Sequence, residues 1–141
     1  MSDRSSLSTF CAAALALTTF AAMPVAALAQ DGDPILEANG VKYACAGVGK
    51  ASRNDPRWTA FPVRLEFAAA NGDFLGDPAV TITDASGKQV FQTQCNGPWV
   101  LMQLPAGSYQ VHATGQKGQY AKDFPLSVKA GGQTKKTIRL P

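Results

Sequence analysis

The sequence predicts an all-β protein: an antiparallel β-sandwich of seven to eight strands behind an N-terminal signal peptide. Three observations predict it. Short apolar runs recur about every ten residues, with turn residues between them. Several runs alternate apolar and polar side chains, the period of a strand with one buried face. No window keeps a helical period over two or more turns beyond the first thirty residues. A parallel sheet needs crossover helices, so the spacing favours antiparallel strands, with a small closed barrel as the alternative.

The elements follow in order. Asp31 to Asn39 is polar and reads as a loose segment (residues 30–39) ahead of the domain. Val41 to Cys45 alternates and reads as the first strand. Gly47 to Arg57 reads as loop, ended by Asn54-Asp55-Pro56. Phe61 to Phe67 is the clearest period of two: Phe61, Val63, Leu65 and Phe67 face inward, and Arg64 and Glu66 face water. Asn71-Gly72 is a turn signal, and Val80 to Thr83 is a β-branched strand. Asp84 to Gly87 turns the chain into Lys88 to Gln94, and Asn96-Gly97-Pro98 turns it into Trp99 to Leu104. Ser108 to Ala113, Phe124 to Lys129 and Thr134 to Leu140 complete the strands.

The first thirty residues stand apart. Met1 to Ser6 is polar and carries Arg4, Phe10 to Met23 is apolar, and Ala27-Leu28-Ala29 is a small-residue site. That order is the signature of a secretory signal over residues 1–29, cleaved after Ala29. The apolar run is short for a membrane span of about 20 residues, and no second such run follows. Cys11 lacks the surroundings of a lipid-attachment site. Its removal with the signal leaves Cys45 and Cys95, and two thiols in an oxidising compartment pair most simply with each other. The alternative is two separate buried thiols. The expected location is periplasmic or secreted.

Residues Ile82-Thr83-Asp84-Ala85-Ser86-Gly87 and Leu104-Pro105-Ala106-Gly107-Ser108-Tyr109 carry a familiar pattern. It resembles the carboxypeptidase regulatory-like domain, a transthyretin-like β-sandwich, over roughly residues 40–141. With Gly47-Val48-Gly49, Ser52-Arg53 and Asn96-Gly97-Pro98-Trp99, the chain is similar to a small exported proteobacterial group of that kind. The resemblance implies a Greek-key sandwich and carries no established activity. Small residues are usual in that group where this chain has Cys45 and Cys95, so a bridge would be a local addition. A purine-pathway hydrolase shares the fold class, but it needs several histidines and a different C-terminal motif, and this chain ends Thr137 to Pro141.

The composition excludes several chemistries. The net charge is +3, and the basic residues are scattered apart from Lys135-Lys136, which argues against nucleic acid. His112 is the only histidine and the carboxylates are dispersed, so no metal or cofactor is expected. No serine sits in a nucleophile elbow, and Gly47 to Ser52 lacks the helix a phosphate loop requires. Tyr109, opening a strand after Pro105, reads as a corner lock. Ser52, Arg53, Arg57 and Trp58 form a candidate recognition edge, because Arg and Trp are enriched at binding hot spots. Trp99 reads as core or rim packing, or as a platform for a sugar ring. The expectation is a non-enzymatic exported module that binds an envelope protein or glycan. The alternatives are a structural accessory subunit and a hydrolase using His112.

Overall fold

The structure is a computed structural model that describes residues 32–115 and 118–141. The signal peptide expected over residues 1–29 lies outside the described residues. Among those described there are nine strands: β1 (Ile35–Ala38), β2 (Val41–Ala46), β3 (Val63–Ala69), β4 (Ala79–Asp84), β5 (Gln89–Gln94), β6 (Trp99–Met102), β7 (Gly107–Gly115), β8 (Tyr120–Val128) and β9 (Thr134–Leu140). They form two sheets. Sheet I runs β1-β2-β6-β3-β9 and sheet II runs β5-β4-β7-β8. No helix among the described residues is long and apolar enough to cross a membrane.

Between the sheets lies the main core. Val63, Leu65, Phe67, Val100 and Met102 from sheet I meet Val80, Ile82, Phe91, Val111, Phe124 and Leu126 from sheet II. The alternation along β7 places Tyr109, Val111 and Ala113 inward and Ser108, Gln110 and His112 outward, as a half-buried strand requires. Tyr109 is buried and donates its hydroxyl proton to the Pro105 carbonyl at 2.7 Å, which locks the turn into β7. Burial, and secondarily the nearby Asp84 carboxylate, push its phenol above the ordinary value. The Asp84 carboxylate closes the β4–β5 hairpin by accepting from the Ser86 and Lys88 N–H groups at 2.9 and 3.0 Å, and Gly87 takes the positive φ of 84°.

The disulfide joins the two sheets. Cys45 sits in β2 and Cys95 just after β5, with Cα atoms 5.3 Å apart. The expected nearness of those two segments is what the fold provides.

Three expectations are corrected. The segment read as loose contains β1, because Asn39 and Gly40 both take positive φ (53° and 77°) and make the two-residue hairpin turn that pairs Ala38 with Val41. Ile35, Leu36 and Glu37 stay exposed and only Ala38 is partly buried against the core, so the ordering is mainly by backbone pairing. The strands are not all antiparallel, since β9 runs parallel to β3 from Val63↔Thr134 to Ala69↔Leu140. The loop from Gly47 holds a single helical turn, α1 (Gly49–Arg53), and a 3-10 turn at Pro56–Ala60, both too short to leave a periodic signal.

Candidate functional site

The outer face of sheet I is where the candidate residues meet. β6 reads Trp99-Val100-Leu101-Met102, and all four are buried. Val100 and Met102 face the main core, while Trp99 and Leu101 face away from it, beside Ala44 and Ala46 of β2. An apolar outer face must be covered, and residues 47–61 cover it. Trp58 and Phe61 complete a second apolar cluster with Ala44, Ala46, Trp99 and Leu101. Burying these aromatic rings stabilises the cover by an amount comparable to a small core, on the order of 2–3 kcal/mol per large side chain.

Glycine permits the close approach. A Cβ on Gly47, whose φ is 95°, would lie 2.7 Å from the Trp99 ring, and one on Gly97 would lie 2.5 Å from the Ala46 carbonyl oxygen. Within Gly47 to Ser52 it is Gly47 that serves packing, its backbone lying against the indole, whereas a Cβ on Gly49 would meet nothing.

Hydrogen bonds then fasten the cover. Ser52 Oγ accepts from the Gly47 N–H at 2.7 Å and donates to the Asp33 carboxylate. Trp58 Nε1 donates to the Ser52 carbonyl at 2.6 Å, and Arg53 donates to the Gly47 carbonyl at 3.1 Å. Gln133 Nε2 bonds the carbonyls of both Trp58 and Phe61, tying the cover to the start of β9. Asp55 caps the 3-10 turn by accepting from the Arg57 N–H at 2.9 Å and pairs with its guanidinium at 2.6 Å. These bonds from Arg57 hold the Asp55 carboxyl below its ordinary value and raise the Arg57 guanidinium above its own.

Arg64 and Glu66 were expected to face water. Glu66 is buried, and Arg64 is half-buried with its guanidinium stacked 3.5 Å from the Trp99 ring centre. The reason is the cover, which encloses the face that the alternation left open. Glu66 pairs with Arg64 and with Lys135 at 3.3 Å, so its buried charge is compensated. Trp99 Nε1 and Arg64 Nε are buried without a hydrogen-bond partner.

The five candidate residues are thus brought together, but they divide by exposure. Trp58 and Trp99 are 2% and 4% exposed and present no ring face to solvent. Ser52 is engaged in the hydrogen bonds just described. Arg53 and Arg57 retain accessible guanidinium groups. The solvent-facing part adds two residues outside the candidate recognition edge. Val48 is 66% exposed and Phe74 is 49% exposed. Phe74 stands edge-on to Trp99 at 6.4 Å, and the Arg53 guanidinium lies 5.7 Å from its ring centre. Phe74 had a visible signal, a large aromatic directly after the polar turn Asn71-Gly72-Asp73. Beside this cluster an open depression of about 700 Å³ is lined by Asp33, Val48, Ser52, Asp55 and Arg57. An apolar-and-cationic surface on a rigid aromatic base suits recognition, since little side-chain freedom is lost on contact.

His112 lies elsewhere, exposed on the outer face of sheet II. Its Nδ1 lies 2.6 Å from Asp123 Oδ1 on β8. No family model matches the chain, and no curated protein matches it.

Proposed function

We propose that this chain is a non-enzymatic binding or accessory module of the periplasm or cell envelope, exported and cleaved after Ala29. The observation that carries the reading is the exposed Phe74–Arg53 pair set edge-on to buried Trp99, with exposed Val48 on the same cover. Exposed aromatic and aliphatic groups on a fixed base are the composition of a protein-docking surface. We further propose that the sandwich is of the carboxypeptidase regulatory-like, transthyretin-like kind. The Tyr109–Pro105 lock and the Asp84–Gly87 hairpin support that reading. A Greek-key connection is supported by β3 pairing with β6 while the hairpin β4–β5 between them belongs to the other sheet.

Binding of envelope extract to the immobilised protein tests the surface. A partner captured saturably by the native chain and lost from Val48→Ser/Phe74→Ser, with both proteins melting alike, supports docking there. Equal capture by the two contradicts it. Co-fractionation with a large assembly without saturable binding favours the structural accessory role. A hydrolase reading draws on one contact, the Asp123 carboxylate orienting His112, with Thr81 as the cross-strand neighbour of that histidine on β4.

A further inference from the structure

The sheet edge formed by β8 and β9 gathers charges that look scattered along the chain. Residues 118–141 contain Lys122, Lys129, Lys135, Lys136 and Arg139 against one acidic side chain, Asp123. The two strands are the neighbouring open edges of the two sheets, β8 closing sheet II and β9 closing sheet I. Lys122 reaches across the seam to the Arg139 carbonyl at 3.5 Å, and Lys136 reaches back to the Pro125 carbonyl at 3.0 Å, over the Phe124 ring. Arg139 donates to the Ala70 carbonyl. Among the described residues, Lys122, Lys129, Lys136 and Arg139 make no ion pair with a carboxylate, and only Lys135 is partly compensated, by Glu66. Asp123 is paired with His112 on the outer face of sheet II. The edge therefore carries several cations, of which Lys122, Lys136 and Arg139 give their hydrogen bonds to neutral carbonyls.

We infer that the β8–β9 edge binds an acidic polysaccharide, a linear chain bearing repeated carboxylate or sulfate groups. Charge complementarity supplies the attraction. Beside the lysines a groove of about 370 Å³ is lined by Ser108, Gln110, Ser127 and Thr134, which offer hydrogen bonds to sugar hydroxyls. A lipid surface fits less well. The large exposed apolar side chains, Ile35, Leu36, Val48 and Phe74, belong to other parts of the molecule, so nothing on this edge would enter hydrocarbon. The inference does not depend on the Val48–Phe74 surface.

Retention of the purified protein on immobilised polygalacturonate tests it, with neutral dextran and phosphatidylglycerol vesicles in parallel. The protein is expected to bind polygalacturonate at low salt, to ignore dextran and to be released as salt shortens the range of the field. Lys122→Gln/Lys136→Gln/Arg139→Gln is expected to weaken binding at least about tenfold. Lys42→Gln/Lys50→Gln/Lys88→Gln removes the same charge elsewhere and is expected to leave it within about twofold. Should loss of Lys136 unfold the seam, Lys122→Gln/Lys129→Gln/Arg139→Gln replaces the first variant. Equal weakening by the edge and control variants would overturn the assignment, as would no binding at low salt. Vesicle binding of equal strength through the same residues would also overturn it, in favour of a lipid surface. Binding retained in Val48→Ser/Phe74→Ser is expected, and separates this site from the docking surface.

Discussion

On sheet I the outer face carries Ala44, Ala46, Trp99 and Leu101 and is closed by Trp58 and Phe61. On sheet II the corresponding face carries the cross-strand row Gln92, Thr81, His112 and Asp123 and is left to solvent. The strands that build the two faces differ in the matching way. β6 is apolar at every position because it is buried on both sides, while β7 alternates because only one side is covered. The centre of sheet I, buried on both faces, holds residues 47–61 in place, and those residues in turn present Val48 and Arg53. The bare face has no such cover and contributes polar groups one row at a time.

This contrast can be broken from either side. The largest effect is expected from Trp58→Ala, which empties the centre of the cover. It should destabilise by about 3–5 kcal/mol, the usual cost of deleting a buried tryptophan, read as a lowered denaturant midpoint. A loss below about 1 kcal/mol would mean that the cover contributes little. Reduction of Cys45–Cys95 comes next. The bridge closes a separation of 50 residues and ties the covered sheet to the bare one. Its loss should cost up to about 4 kcal/mol on the chain-entropy argument. Melting with and without reductant measures this, and two alkylatable thiols in the unreduced, denatured protein would contradict the bridge. The smallest effect is expected from His112→Ala. Its ring is exposed and its partner Asp123 more so, so the change should stay within about 0.5 kcal/mol. A large loss there would mean that the bare face is also structural. A hundredfold loss in an activity assay would favour the hydrolase reading.

Most of the strands, in their succession along the chain, were readable because alternation and turn residues are local signals. Val63, Leu65 and Phe67 declare their inward face from sequence alone, and Asp84-Ala85-Ser86-Gly87 declares its hairpin. The misreadings have a common cause in non-local packing. Arg64 and Glu66 alternate like solvent-facing residues, and nothing near them in sequence reports that residues 47–61 fold back over them. β1 is weakly apolar, and its only strong signal is the Asn39-Gly40 turn. Of the candidate site, Arg53 and Arg57 were identifiable by type. Whether Trp58 and Trp99 faced solvent depended on the same fold-back, and so did the grouping with Phe74. The basic edge was hidden because Lys122 and Arg139 are distant in sequence and meet only across the seam.

The two tryptophans of the chain both lie in the second apolar cluster, Trp58 in the cover and Trp99 on the sheet face beneath it, so their fluorescence reports on that region alone. Acrylamide quenching of the native protein is therefore the most direct test that residues 47–61 form a packed second core. Both indoles are 4% exposed or less. The expected result is blue-shifted emission with weak quenching that rises to the level of free tryptophan only on global unfolding. Solvent-like emission with strong quenching in the folded protein would show that residues 47–61 are a loose loop and would contradict the account.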